Sequence, residues 1–336
     1  MMSTWGVLTA LVFAVTKGSE DKDIVANHLR RSGGARRREQ ECLVCRIEAE
    51  LVDYADRNMD HVMFECITDD YDAVEMYPDM VFDIDLPDEF AQAHWEELMS
   101  GYITICVPGG QALHTPGNVD ANMVVYPEGA DIRVIENDAP AAALEPAVIV
   151  GARNVLIVRV SGTTEQPSDS SDRLAGTFFG LGSRPFENSM SAQFDRCSFG
   201  QLTFAAARGF SQITNGVMEL NLGYSLRGRN IRTVDDEAFA ATSRALGVGN
   251  LGTVFDHVVL CVAGGTTDGV NGSTNWVGYA RIRGWSSVFN AAWCDNLITQ
   301  MHEIGHNLGL RHSGEQGDEY DDLTGMVRFV FRRSTR

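Results

Sequence analysis

Apolar and polar positions follow different patterns in the two halves of the chain, and the second half is the more regular. Short runs of β-branched and aromatic residues that end at Gly, Asn or Asp are typical of β-strands. Such runs recur beyond position 150. They predict five strands, at Asn154–Val160, Gln201–Ala206, Gly216–Leu222, Val254–Val262 and Val277–Ile282.

One segment among these strands has the spacing of an amphipathic helix. It covers Asp235–Leu246, follows a candidate cap at Thr233 and stops at Gly247. A Thr hydroxyl can accept an otherwise unpaired backbone N–H, and Gly tolerates the left-handed conformation that ends many helices. The segment therefore predicts a helix that packs against the sheet.

A second helix is predicted near the end of the sequence. Its apolar residues recur every three to four positions, so one face is expected to pack inward. Asp295 or Asn296 can cap its start, and Gly309 can end it because a positive φ costs glycine little. The apolar stripe consists of Leu297, Ile298, Met301, Ile304 and Leu308.

The region at 18–146 is acidic and irregular, with strand-like runs at Tyr102–Val107 and Asn122–Tyr126. The Pro- and Ala-rich segment 137–146 has the composition of a linker, and we place a domain boundary at its end. The prediction is an α+β fold. A domain at 147–336 has a five-stranded mixed sheet and follows an irregular or β-rich N-terminal region.

The first 17 residues contain an apolar run, Trp5–Val15, that is too short to span a bilayer and has the length of a signal-peptide core. We therefore expect a signal peptide at 1–17 and secretion. No later stretch reaches the roughly 18 apolar residues of a membrane-spanning helix, so stable membrane insertion is not expected.

Composition indicates a soluble acidic protein. Hydrophobic residues make up 44% of the 336 positions, and the formal net charge is −19. The negative surface would repel a polyanion, which argues against nucleic acid as a partner. The sequence does not indicate an oligomeric state.

Seven cysteines could form up to three disulfide bonds in an oxidising compartment, with one thiol left over. Asn271 begins a glycosylation sequon, and Arg36–Arg38 is either a solvated basic turn or a processing site. The cysteines are Cys42, Cys45, Cys66, Cys106, Cys197, Cys261 and Cys294.

The last predicted helix contains candidate metal-binding histidines. His302 and His306 are four positions apart, so both imidazoles lie on one face of a helix and can bind one ion. The turn at Gly309 can return His312 to the same ion. Three protein ligands with an open fourth position are the pattern of a catalytic zinc site.

Glu303 is rotated by about 100° from His302 along the helix, which places it beside the metal. There it can act as general base on a zinc-activated water and return the proton to the leaving amine. The reaction predicted is peptide-bond hydrolysis. An extended substrate could pair with an edge strand, for which Val277–Ile282 is the candidate.

The sequence HEIGHNLGLRHSGE, at 302–315, resembles the metzincin clan of zinc peptidases. Together with EYDDLTGM at Glu319–Met326 and the segments Gln193–Phe204 and Asn215–Leu220, it is similar to the gametolysin family. This resemblance implies a zinc endopeptidase of extracellular or cell-wall proteins, often with a non-catalytic N-terminal region. It makes Met326 the methionine of the turn beneath the metal.

Two departures from the family pattern leave alternatives open. Val327–Phe329 replaces the usual continuation after Met326. The sequence ends ten residues after Met326. The catalytic domain is therefore expected to be truncated, and a catalytically impaired zinc-binding relative that acts as a protein-binding module is the alternative function. Tyr320 is a candidate substrate contact. An N-terminal thiol that blocks the metal is a further hypothesis, for which the candidates are Cys42, Cys45, Cys66 and Cys106.

Overall fold

A computed structural model describes the chain from Cys42 to His312, with gaps. All described residues belong to one compact unit that begins at Cys42. The predicted signal peptide, Arg36–Arg38 and most of the predicted linker lie outside them. The described ranges are 42–54, 61–68, 81–99, 101, 103–115, 118–137, 149–183, 188–268 and 272–312.

The second half of the chain contains the predicted strands, and they belong to one mixed sheet. In the order β11-β8-β12-β14-β13, the first four run parallel and β13 is antiparallel to β14. β9 pairs in parallel with the first half of β8, and β10 pairs with β11. The strands are β8 Gly151–Ser161, β9 Leu202–Ala206, β10 Ile213–Thr214, β11 Val217–Asn221, β12 His257–Val262, β13 Trp276–Arg281 and β14 Ser286–Asn290.

The N-terminal part is β-rich. Its long first strand, β1, pairs with β2 and β4, and disulfide bonds Cys42–Cys106 and Cys45–Cys66 join it to the same two strands. Two short helices follow β3: α1 Asp88–Ala93 and α2 Trp95–Leu98. The strands are β1 Cys42–Tyr54, β2 His61–Ile67, β3 Val81–Asp83, β4 Ile103–Pro108, β5 Gln111–Thr115, β6 Asn118–Val125 and β7 Arg133–Asn137.

The predicted five-stranded sheet is wrong in size, because the described residues form a 14-stranded sheet. The two parts are joined where β1 pairs antiparallel with β13, from Glu50 opposite Arg281 to Tyr54 opposite Trp276. Strand β13 is therefore paired on both sides, and the prediction that Val277–Ile282 is an edge strand is also wrong. The domain boundary at 146 stays a prediction.

Helices cover both faces of the second half of the sheet. Because side chains alternate along a strand, Leu156 and Val158 of β8 pack toward α5, whereas Val155 and Ile157 pack toward α3, α4 and α6. The burial of β8 on both faces explains why its residues 155–158 are all apolar in the sequence. The helices are α3 Ser171–Phe179, α4 Met190–Cys197, α5 Ile231–Leu246 and α6 Leu297–Asn307.

The predicted helix at Asp235–Leu246 corresponds to the last three turns of α5. Its cap is Asn230, whose side chain accepts a hydrogen bond from the Arg232 N–H, and not Thr233. The end at Gly247 is as predicted, with φ +70°. Among the described residues, none of the helices has the length and apolar composition needed to cross a membrane.

Candidate metal centre

Helix α6 begins at a well-formed cap. The Asn296 side chain accepts hydrogen bonds from the backbone N–H groups of Ile298 (2.9 Å) and Thr299 (3.3 Å). These bonds satisfy two of the donors that a first helical turn leaves unpaired. Ile304 faces the core as expected, but Ile298 is 45% exposed and does not belong to the packed stripe.

The helix ends in a tight turn at Gly309, which has φ +86°. The Leu310 N–H donates to the Gly305 carbonyl at 2.9 Å, so the chain reverses immediately after the helix. A glycine favours this conformation because it has no Cβ to clash. The reversal carries His312 back toward the two histidines of the helix.

The three predicted ligands converge in the structure. His302 and His306 are fully buried on one face of α6, and His312 is 9% exposed. The ring centroids are 4.6 Å apart for His302 and His306, 5.2 Å for His302 and His312, and 4.9 Å for His306 and His312. This spacing lets one ion contact all three rings.

The orientation of His306 is fixed by the turn that follows the helix. Its Nδ1–H donates to the Leu310 carbonyl at 2.8 Å. Nε2 therefore carries the lone pair, and this buried atom has no hydrogen-bond partner among the described residues. A histidine held through one nitrogen by a backbone carbonyl, with the other nitrogen available, has the usual arrangement of a metal ligand.

A fourth group, which the sequence did not reveal, completes the cluster. Asp53 of β1 is 2% exposed, and its Oδ2 lies 3.1 Å from His302 Nε2 and 3.9 Å from His306 Nε2. Its Oδ1 lies 3.3 Å from His312 Nε2. One donor atom from each residue falls within 4.8 Å of all the others. The only sequence signal was an acidic residue inside the apolar strand ELVDY.

Two groups of the cluster, His306 and Asp53, are held in the protonation states that bind a metal. Burial lowers the pKa of His306, and the neighbouring His302 and His312 lower it further, well below 6.5. Burial raises the pKa of Asp53, but the charge and hydrogen bond of His302 outweigh it and hold the pKa well below 3.8. A neutral imidazole and an ionised carboxylate are the forms that bind metals.

These residues fit a zinc ion. Donors bound about 2.0–2.1 Å from one tetrahedral zinc lie roughly 3.3 Å from one another. The three distances from histidine Nε2 atoms to the Asp53 carboxylate, 3.1, 3.3 and 3.9 Å, lie around this value. Three imidazoles and a carboxylate are also a donor set that zinc accepts.

The carboxylate of Glu303 lies against strand β13. A Cβ at Gly278 would come 2.7 Å from Glu303 Oε1, so only a glycine leaves room for the carboxylate in this position. Gly278 is paired with Asp53 on the neighbouring strand. The fully buried Glu303 is thus placed next to the histidine cluster, where the predicted general base should lie.

Two amides fix α6 relative to its surroundings. The Asn307 side chain donates to the carbonyls of Arg281 (3.0 Å) and Ser286 (2.8 Å), which flank the β13–β14 turn. The Gln300 side chain donates to Thr177 Oγ1 at 3.0 Å and to the Cys294 carbonyl at 2.7 Å. Buried side-chain bonds of this kind hold the ligand-bearing helix in register.

Three of the predicted roles fall on residues outside the described ranges, and one hypothesis is wrong. Met326, Tyr320 and Asn271 lie outside the described residues, so their roles stay predictions. The thiol hypothesis is wrong, because its four candidate cysteines form two disulfide bonds with each other. A third bond joins Cys261 to Cys294 and leaves Cys197 as the free, exposed cysteine.

Comparison with known families gives a match for the second half of the chain. Residues 153–328, just over half of the sequence, match the family described as Gametolysin peptidase M11. The chain belongs to this family. The gametolysin assignment confirms the resemblance predicted from the zinc motif, is consistent with the metzincin clan, and implies protein substrates. Searches of curated proteins and of solved structures gave no match.

Proposed function

We propose that this gametolysin-family protein is a zinc endopeptidase. The observation that carries the proposal is the convergence of His302, His306 and His312 beside a buried carboxylate, Glu303. The three imidazoles would hold the ion, and a fold of the metzincin type would present it to substrate. A chain of this family with an incomplete ligand set would not justify the same conclusion.

Each residue has a separate role in this chemistry. Zinc held by the three imidazoles would supply a coordinated water with a pKa of about 7 and would polarise the scissile carbonyl. Glu303 accepts the proton of the attacking water and later donates it to the leaving amine. The turn at Gly309 and the bond from His306 to Leu310 hold the imidazoles so that the reacting groups are already oriented.

We further propose that the substrates are extracellular or cell-wall proteins and that the protein is secreted. The three disulfide bonds support an oxidising compartment, since such bonds are rare in proteins kept in reducing ones. The predicted signal peptide at 1–17 supports the same location.

Replacement of the general base tests the proposal. Glu303→Gln should retain stoichiometric zinc but lose about 10²–10⁴-fold in rate, because only the proton acceptor is removed. Zinc content is measured by elemental analysis, and the rate with an unstructured protein such as casein in the Asp53→Asn background described below. Glu128→Gln, at an exposed position, is the matched control and should change neither quantity.

Metal removal gives the second arm of the same test. A chelator should abolish hydrolysis and added zinc should restore it. Equal and measurable turnover with and without Glu303→Gln in that background would remove Glu303 from the mechanism. Tight zinc binding with no hydrolysis, even after the site is opened as described below, would favour the zinc-binding relative without peptidase activity.

A further inference from the structure

Strand β1 occupies the edge of β13 that a substrate would need. Its residues 50–54 pair antiparallel with 276–281, directly beside Glu303 and the histidines. An extended peptide bound to a sheet edge makes the same backbone bonds. The described form therefore contains an internal strand where a substrate strand is expected.

Strand β1 blocks the substrate-binding edge of β13, and the side chain of its residue Asp53 also blocks the open position of the metal. Catalytic zinc sites have three protein ligands and keep the fourth position for water or substrate, whereas four protein ligands are typical of closed, structural sites. The carboxylate of Asp53 lies 3.1–3.9 Å from the three Nε2 atoms, at the distance expected for a fourth ligand.

We propose that the full chain is a latent form, in which β1 fills the substrate cleft and Asp53 is the fourth zinc ligand. This inference rests on the proposed peptidase function. Activation then requires β1 to leave the edge of β13, which opens the metal to water and the strand to substrate in one movement.

Polar contacts hold β1 against the peptidase part. Arg281 of β13 lies 3.1 Å from Glu50 and 2.8 Å from Glu65 of β2, and Arg232 of α5 also pairs with Glu50. At the end of β1, the Tyr54 hydroxyl donates to Asp268 at 2.8 Å. These contacts join β1 to three separate elements of the peptidase part.

The position of Glu303 distinguishes a latent site from a permanently closed one. A structural zinc site with four protein ligands needs no further buried carboxylate, and burying one costs free energy. Glu303 is nevertheless fully buried beside the cluster, in a space that Gly278 leaves open for it. The chain thus retains a catalytic base in a form that substrate cannot reach.

Cobalt substitution of the full chain tests the fourth ligand directly. The Co²⁺ visible spectrum reports changes in ligand set, and acetohydroxamate is a small probe that binds a metal with an accessible position. In the unmodified protein the spectrum should respond weakly to acetohydroxamate. Asp53→Ala and the nearly isosteric Asp53→Asn should bind the probe at least about tenfold more tightly, because no carboxylate competes for the metal.

Asp131→Ala is the matched control, since Asp131 is 88% exposed in the same N-terminal part. It should behave like the unmodified protein. If Asp53→Ala fails to fold, Asp53→Asn preserves the side-chain volume and carries the test. Identical spectra and identical probe affinities in the unmodified protein and both Asp53 variants would overturn the inference.

Hydrolysis measured in the same samples separates this inference from the function on which it rests. In the latent form the bond from Asp53 to the metal is one of the contacts that hold β1, so its loss should raise the population of chains in which β1 has left β13. We expect casein hydrolysis at least about tenfold faster for Asp53→Asn than for the unmodified protein. Equal, zinc-dependent hydrolysis by both would overturn latency and leave the peptidase function intact. Tighter probe binding without hydrolysis by Asp53→Asn, even after the chain is cut within 138–148 to free β1, would support Asp53 as the fourth ligand and contradict the peptidase function.

Discussion

At the scale of single residues, the metal centre combines neighbours in sequence with one distant partner. His302, His306 and His312 were predictable because helix geometry and one glycine turn determine where ligands at this spacing point. Asp53 was not, because 249 positions separate it from His302 and only the pairing of β1 with β13 brings them together. Local sequence patterns do not predict contacts between residues so far apart in the chain.

Gly278 offers a prediction at this scale. A methyl group there would lie 2.7 Å from Glu303 Oε1 and 3.2 Å from the Val288 carbonyl, so the carboxylate must move. Gly278→Ala should keep its zinc and lose on the order of 10²-fold in kcat, because a displaced base reacts poorly.

The measurement compares kcat and zinc content in the Asp53→Asn background, in which the site is open. Gly249→Ala is a suitable control, since nothing lies within 4 Å of the position that its Cβ would occupy. An unchanged kcat in Gly278→Ala would show that the exact position of the Glu303 carboxylate does not limit the rate.

At the scale of elements, apolar runs located most of the buried strands but not all of them. Strands β8 and β12 were visible because parallel strands buried on both faces are continuously apolar. Strand β14, SSVFN, was missed because it begins with two serines that the sheet nevertheless buries. Tertiary burial there overrides a weak local signal.

The cap of α6 gives a prediction for an element. Asn296→Ala removes the acceptor of two backbone N–H groups and should lower the free energy of unfolding by about 1 kcal/mol. Asn296→Asp should retain nearly full stability, because a carboxylate accepts the same bonds. Urea unfolding of both variants is the measurement, and equal losses would show that the amide acts in some other way.

At the scale of the whole molecule, a group of charged side chains, some of them buried, joins the N-terminal part to the peptidase part. Sequence could not predict this junction, since its carboxylates come from β1, β2, β3 and α5, and its arginines from α5 and β13. The group comprises Glu50, Glu65, Asp83, Asp235, Asp236, Arg232 and Arg281.

Stability should depend on pH through this junction. Burial raises the pKa of Glu50 to about 7, with Glu65 adding to the rise and Arg232 and Arg281 opposing it. Because this folded-state pKa exceeds the ordinary value, the stabilisation is complete below about pH 4 and is lost as pH rises through 7.

We therefore expect this junction to contribute a decrease in the free energy of unfolding between pH 5 and 8, of roughly 1–3 kcal/mol. Glu50→Gln removes the titrating group and should make the decrease smaller. Denaturant unfolding at several pH values measures it. An identical slope in Glu50→Gln would show that Glu50 titrates normally.

The pattern of covalent cross-links has a consequence for how β1 could be released. Two disulfides lie wholly within 42–106 and the third lies within 261–294, so among the described residues no sulfur bridge spans the segment 138–148. A single backbone cut in that segment would leave the inhibitory strand attached only by non-covalent contacts. The cleaved piece could then dissociate without a reductant.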